Sequence, residues 1–323
     1  MRPIHVLFLL SVSSILLILG ALLSGSVALS IEDIWLALTT SNSTQASLIV
    51  IELRLPRALA AFATGALLAQ AGALMQVLVR NPLADPYILG VSGGAATAVL
   101  LGMLFGLSST FGLSGLAFIG AIIAMTLVFV LAHQNGNWTP TRLLLTGVVV
   151  AAGWGAAISL ILTLSPANNL HGMLFWLMGD LSYNHSLSFS FTTLSIGLIL
   201  SLLIAPQLNV LIRGATLATS LGINLKEIHI KIYIIASLLT AAAVVQAGSI
   251  GFVGFIVPHL IRLFGITDHR YLIPASTLGG GILVLLADTV ARTIIAPQQL
   301  PVGIITALIG VPLFLFLLHR ETK

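Results

Sequence analysis

The chain contains no cysteine and very little charge. Of its 323 residues, 7% are Asp, Glu, Lys or Arg, whereas 58% are hydrophobic. The absence of cysteine excludes disulfide bonds, thiolate metal sites and cysteine nucleophiles. So few charges cannot cover the surface of a water-soluble globule of this size, and the mean hydropathy of +1.12 indicates a polytopic membrane protein.

Motifs for two common kinds of chemistry are also missing. No lysine stands in a GxxxxGK[ST] phosphate-binding loop, because Lys226, Lys231 and Lys323 follow Leu, Ile and Thr. The histidines form no HExxH motif and no i,i+4 pair, which argues against a zinc site. We therefore expect no cofactor or metal in the chain itself and no ATP hydrolysis by it.

Ten apolar stretches are candidates for membrane-spanning helices. The first is longer than the apolar core of a signal peptide and lacks a cleavage site, so it is retained as a span. The sequence thus predicts an all-α polytopic membrane protein with about ten transmembrane helices, in which residues 1–323 form a single domain. The stretches are about 5–28, 56–79, 90–106, 114–133, 143–164, 188–206, 230–249, 256–266, 271–294 and 302–319.

The basic residues orient these spans. With both termini in the cytoplasm, nearly all Lys and Arg residues fall on the cytoplasmic side, as the positive-inside rule requires. The exceptions are Arg54, Arg57 and Arg292, which fall outside. Arg292 follows Asp288 by four residues, so these two side chains are expected to pair along one helix face. Few other charges lie within the spans, which argues against an ion-coupled carrier and indicates that the energy source lies elsewhere.

Three polar segments are expected on the cytoplasmic side. The first, residues 79–94, contains Pro82 and Pro86 and reads as a rigid turn at the inner end of the second span. A second proline-containing turn is expected at 136–147. The third segment, 209–233, has a helix-break-helix pattern that suits a groove on a soluble partner, with a plain surface loop as the alternative.

One pattern points to an enzyme instead. Residues 90–94, Gly-Val-Ser-Gly-Gly, fit the GxSxG motif, and the first four also fit the GxSG of intramembrane serine proteases. A serine nucleophile needs a base within hydrogen-bond distance. Ser92 is expected at the inner surface, and no histidine falls in the outer halves of the predicted spans to pair with it. A protease using Ser92 is therefore a remote alternative.

Several long motifs resemble those of the FecCD-type permeases of bacterial ABC importers, which take up ferric siderophores, haem and cobalamin. The resemblance covers nearly the whole chain, in the family's order. The motifs are RLPRALAAFATGALLAQAGALMQVLVRNPLADPYILGVSGGA (54–95), TRLLLTGV (141–148), FWLMGDL (175–181), SLGINL (220–225), IGFVGFIVPHLIRLFGITDHRYLIPAS (250–276), LLADTVAR (285–292) and LPVGIITALIGVPLFLFLL (300–318).

The resemblance implies a fold, a function and a set of partners. The fold would be the ten-helix type II importer permease, in the bacterial inner membrane, paired with a second permease subunit as a homodimer or heterodimer. Two cytoplasmic ATPases would hold ATP and Mg and drive alternating access, and a periplasmic binding protein would deliver the ligand. Ferric siderophore is the favoured ligand, with haem or cobalamin as alternatives.

The resemblance also implies roles for particular residues. The outward arginines Arg54, Arg57 and Arg292 would receive acidic residues of the binding protein. Their alternative roles are contact with lipid headgroups or pairing with Glu52. The cytoplasmic gate would be formed by Asn81, Leu83, Thr139, Pro140 and Thr141. The ATPase coupling turn would comprise Leu221, Gly222, Ile223, Asn224, Leu225 and Lys226.

The chain departs from the family pattern at two positions near the outer surface. Gln299 stands where the family commonly has Glu, and Asp180 stands where a small residue is frequent. One acid is thus lost and one gained. Either change could alter docking or ligand entry, and neither threatens the fold.

Overall fold

The computed structural model describes residues 2–25, 27–40, 44–133, 139–182 and 187–321. Within these residues all regular structure is helical and no strand occurs, which confirms the predicted fold class. A π-helical turn, Ile49–Arg54, joins α3 to α4, and a 3₁₀ turn, Pro86–Leu89, precedes α5. The α-helices of the described residues are α1 Pro3–Leu23, α2 Ile31–Thr39, α3 Gln45–Leu48, α4 Leu55–Val79, α5 Val91–Leu104, α6 Thr110–Ala132, α7 Pro140–Leu164, α8 Ala167–Leu177, α9 Leu187–Leu211, α10 Ala215–Ser220, α11 Leu225–Ala247, α12 Val253–Leu263, α13 His269–Thr293 and α14 Val302–Glu321.

Ten helical stretches correspond one to one to the ten predicted spans. Seven stretches in the described residues are long and apolar enough to cross a membrane: α1, the continuous helix Gln45–Val79, α6, α7, α9, α11 and α13. The other three are the shorter apolar helices α5, α12 and α14. The chain is therefore a multi-span membrane protein.

The regions between spans contain structure that the sequence did not predict. Helices α2 and α8 lie between spans, and the π-helical turn continues α4 backwards toward α3. The turn predicted at 136–147 is wrong in its second part, because α7 already begins at Pro140, where the fixed φ of proline suits a first helical turn. Residues 134–138 lie outside the described part of the chain.

Helix α4 is the centre of the bundle, and nearly all its residues from Ala58 onward are buried. Glycine lets two neighbouring backbones approach it closely. Gly65 faces Gly280 of α13, and Gly72 faces the carbonyl of Gly254 in α12, with no room for a Cβ at either position of α4. Membrane helices that pack through small residues in this way gain van der Waals contact along their backbones.

The end of the bundle at which Arg57 lies is here called the arginine end. Helix α4 begins there and runs to the opposite end. Helix α12 begins inside the bundle, because its second residue, Gly254, packs against Gly72, which is two turns or about 10 Å before α4 finishes.

The segment that follows α4 also turns back into the bundle. The ring of Pro86 packs against Gly254, so α5 begins well inside the opposite end. The expectation that Ser92 lies at the inner surface is therefore wrong. Six residues at 80–85 suffice for this return because they are extended or turn-like rather than helical.

Candidate functional site

Arg54 is a buried arginine whose side chain fastens one loop to the bundle. It ends the π-helical turn, and its guanidinium donates to the carbonyl oxygens of Leu22 (2.6 Å), Leu23 (3.3 Å) and Val27. Arg54 therefore points to the end of α1, whereas Arg57, in the first turn of α4, points to α13. Only 5% of Arg54 is exposed.

Arg57 joins three separate parts of the chain at the arginine end. Its Nε atom donates to Oδ1 of Asp288 on α13 at 3.0 Å, and Nη2 makes an ion-pair contact with the same oxygen at 2.9 Å. Its Nη1 atom donates to Oε1 of Gln299 at 2.6 Å and to Oγ of Ser182 at 3.3 Å. Asp288 is fully buried, and the side chain of Arg57 is 13% exposed. Asp288, rather than Glu52, is the acidic partner of this arginine.

Arg292 completes the cluster. Its Nε atom lies 3.0 Å from Oδ2 of Asp288, which confirms the predicted i,i+4 pair. The contact is an ion pair without the geometry of a directed hydrogen bond. Nη2 of Arg292 is also buried with no hydrogen-bond partner in the described residues, and the side chain is 8% exposed. One carboxylate thus serves two guanidinium groups.

These side chains border a cavity of about 340 Å³ at the arginine end. The three arginines and Glu52 line it, and Asp288 lies behind them. Three cations face two carboxylates, so one positive charge is unbalanced. Ser182 and Gln299 line the same cavity and are exposed, so a group arriving from outside can reach them. The arrangement is suited to an incoming anion.

The loop that carries Ser182 is tied to two helices by backbone hydrogen bonds. The carbonyls of Met178 and Gly179 accept from Gly303 and Val302 at the start of α14, both at 3.1 Å, and Asp180 donates to Ala247 at the end of α11 at 2.9 Å. The Asp180 side chain accepts from Ser182 N at 2.8 Å, so this acid stiffens its own loop. Residues 178–182 therefore form a rigid junction between α8, α11 and α14.

The predicted gate residues lie at the opposite end. Oδ1 of Asn81 accepts from Leu83 N at 2.9 Å and holds the turn after α4. Oγ1 of Thr139 accepts from Arg142 N at 3.3 Å and so caps α7, with Pro140 and Thr141 in its first turn. These contacts define two turns at one end of the bundle; the gating role stays a prediction.

The predicted coupling segment has the helix-break-helix form expected from the sequence. Gly214 and Gly222 adopt φ values of +132° and +79° on either side of α10, where a Cβ would be strained. Asn224 caps α11 by accepting from Lys226 N and Glu227 N at 3.1 and 3.3 Å. Leu221 is 61% exposed at the break. Leu225 and Ile223 flank this exposed turn, and contact with an ATPase stays a prediction.

Ser92 does not have the surroundings of a nucleophile. Its hydroxyl oxygen lies 2.6 Å from that of Ser249, and a second hydroxyl is not a base that can activate it. In the described residues no group of three His, Cys, Asp or Glu side chains could hold a metal ion.

The sequence model of the FecCD transport family matches residues 12–320. The chain belongs to this family. It is 38% identical to the hemin transport system permease protein HmuU of Yersinia pestis, with 100% of this chain and 97% of the relative aligned. It is 42% identical to a cobalamin import system permease protein of Halobacterium salinarum, over 86% of this chain and 75% of the relative.

Solved structures agree with this assignment. A chain described as an inward-facing conformation of a metal-chelate type ABC transporter matches with a TM-score of 0.85 and 29% identity, covering 99% of this chain and 100% of that one. A chain of PsaBC from Streptococcus pneumoniae matches with a TM-score of 0.56 at 17% identity, which shows similarity of fold alone. This FecCD chain is an ABC-type permease, as the sequence predicted.

Two contacts of the FecCD chain were missed from the sequence. Asp288 was expected beside Arg292 but not beside Arg57, because these two residues are 231 positions apart and only tertiary structure joins them. Gln299 was noted as a departure from the family pattern, and the structure shows it as an acceptor for Arg57.

Proposed function

We propose that this permease imports a metal chelate, with ferric siderophore favoured and haem or cobalamin as alternatives. The observation that carries the proposal is the cationic cavity at one end of the bundle combined with an exposed helix-break-helix segment at the other. The first suits an acidic delivery protein, and the second suits a groove on a driving subunit. Relatives named for hemin and cobalamin transport support the ligand class.

The partners follow from the same two ends. The arginine end would face the periplasm and receive a substrate-binding protein, and the opposite end, with both termini, would face the cytoplasm. There two ATPase subunits would hold ATP and Mg. A second permease subunit, identical or different, would pack beside this chain, and α7 offers it an apolar surface, since most of its residues are not buried. The membrane would be the bacterial inner membrane.

Arg57 is the best placed of the three arginines to meet a carboxylate of the binding protein. Its guanidinium lines the cavity, and its Nη1 partners Gln299 and Ser182 are exposed. Arg292 lines the cavity and would add positive charge behind Arg57, although its Nη2 atom is itself buried. Arg54 is held by three backbone carbonyls, so its contribution would be to shape the rim of the cavity and add positive charge.

Reconstitution tests the proposal. The permease, its cognate ATPase and its cognate binding protein are placed in liposomes, and uptake of labelled ferric siderophores, haemin and cobalamin is measured with ATP and with a non-hydrolysable analogue. We expect ATP-dependent uptake of one of these ligands. The proposal fails if none of them is taken up while the three components assemble normally. Binding of the same ligands to the isolated binding protein identifies the chelate.

A further inference from the structure

The contacts of Arg57 leave a specific edge of its guanidinium for a partner. A guanidinium has five N–H donors in a fixed planar fork. Asp288 occupies the edge formed by Nε and Nη2, and Gln299 and Ser182 occupy the two hydrogens of Nη1. Within the described residues, Nη2 is therefore the guanidinium nitrogen of Arg57 that donates no hydrogen bond.

A carboxylate binds an arginine most strongly when both of its oxygens are used. The remaining route to such a pair is the end formed by Nη1 and Nη2. An incoming carboxylate finds Nη2 available there but must displace one of the two Nη1 acceptors. Neither acceptor is charged, so a carboxylate is the stronger competitor.

We propose that Ser182 and Gln299 act as a latch on Arg57, and that a carboxylate of the docking protein opens it by taking Nη1 from one of them. This inference rests on the docking role proposed above. In the undocked permease, the latch holds the loop of Ser182 and the loop of Gln299 to the same nitrogen. After docking, the two loops are no longer held together by Arg57.

The release has a defined route into the bundle. Ser182 belongs to the rigid junction 178–182, whose backbone bonds reach Val302 and Gly303 at the start of α14 and Ala247 at the end of α11. Gln299 lies three residues before α14. Opening of the latch therefore loosens the hold of α4 on the junction and α14, which stay joined by their backbone bonds and move together. Ser182 and Gln299 are positioning residues that couple docking of the binding protein to movement of the helices.

Two alanine substitutions separate this role from a merely structural one. The variants are Ser182→Ala, Gln299→Ala and their combination, in the assembled transporter with its binding protein. Thr293→Ala is the matched control, because Thr293 is exposed at the same end and its hydroxyl bonds within α13. The dissociation constant for docking and the ATPase rate at saturating binding protein are measured for each.

We expect the double variant to dock roughly tenfold more tightly, since docking no longer has to break a hydrogen bond between Nη1 and Ser182 or Gln299. We also expect docking to stimulate its ATPase less than half as strongly as in the wild type, because the junction and α14 are already free of Arg57. Unchanged or weaker docking, or full stimulation at saturation, would overturn the latch. Absence of docking by the wild-type chain would instead overturn the proposed function itself.

Discussion

Arg57 and Asp288 form a buried ion pair between α4 and α13, with the two closest contacts at 2.9 and 3.0 Å. The pair brings together residues 231 positions apart in the chain. Because Asp288 also faces Arg292, this single carboxylate compensates two guanidinium groups in a site from which water is largely excluded. Asp288 thereby joins α4 to α13 at the arginine end.

Replacement of Asp288 by Asn should destabilise the permease strongly. Removing one partner of a buried pair leaves uncompensated charge, which typically costs about 3–5 kcal/mol. Thermal unfolding in detergent, monitored by size-exclusion chromatography, measures the loss of stability. Glu52→Gln is the control, since Glu52 lines the same cavity but is exposed, and it should change stability by less than about 0.5 kcal/mol. Equal melting of Asp288→Asn and wild type would contradict the assignment.

Gly72→Ala should separate α4 from α12. The added Cβ would overlap the backbone carbonyl of Gly254, which cannot move aside as a side chain could. Overpacking of this kind costs about 1–3 kcal/mol or more. The monodisperse fraction after detergent extraction is the readout. Gly115→Ala on α6 is the control because a Cβ there meets nothing within 4 Å. Similar yields of the two variants would show that the glycine contact is dispensable.

The first turn of α2 should loosen in acid. Backbone and side-chain hydrogen bonds from Ser30 lower the pKa of Asp33 below its ordinary value. A lowered pKa means that the charged carboxylate stabilises the fold above about pH 3.9, and that this contribution is lost as the pH falls through the lower folded value. Hydrogen exchange of the α2 amides, corrected for intrinsic rates, should accelerate at low pH. Asp33→Asn should show the faster exchange already at neutral pH, and slow exchange in that variant would refute the explanation.

Ser92→Ala should leave transport intact. The substitution removes one hydroxyl contact with Ser249, worth about 1 kcal/mol, and no catalytic group. Uptake should stay within about twofold of wild type, since the lost hydrogen bond affects the stability of the fold rather than the translocation path of the ligand. A fluorophosphonate probe should label neither protein. Labelling that disappears in Ser92→Ala would revive the protease alternative.

Leu221→Asp should weaken assembly with the ATPase. Leu221 is 61% exposed at the break between α10 and α11, so a charge there does not disturb the core but does disturb burial in a partner's groove. Co-purification of ATPase with tagged permease measures assembly. Leu263→Asp is the control, because it makes the same substitution at a leucine that is 52% exposed near the same end of the bundle. Equal recovery of ATPase with both variants would argue against the coupling role.

The spans were predictable because hydropathy is a local property. The pairing of Asp288 with Arg292 was predictable for the same reason, since helical geometry places i and i+4 side by side. The sequence also indicated the break at Gly222, because glycine permits the positive φ found there. These features each depend on a few neighbouring residues.

Other features depend on contacts between distant segments. The depth of Ser92 could not be predicted, because it follows from Pro86 packing on Gly254, 168 positions further along the chain. Helix α2 was not predicted, because it lies between two spans and is too short to cross a membrane. Its capping box of Ser30 and Asp33 is a sequence signal that could have indicated it. The Nη1 contacts of Arg57 could not be predicted either, because they depend on the conformations of two loops that are distant in the sequence.

Arg54 also bears on how the first two spans enter the membrane. Its guanidinium binds carbonyls at the end of α1 and in the turn that follows, so it fixes the end of the first span beside the start of α4. An arginine whose donors are satisfied by the chain's own backbone carries fewer unmet hydrogen bonds through an apolar environment. The end of the first span is therefore anchored to the second by Arg54, whereas the packing of α1 along its length depends mainly on α13, the ninth span to be inserted.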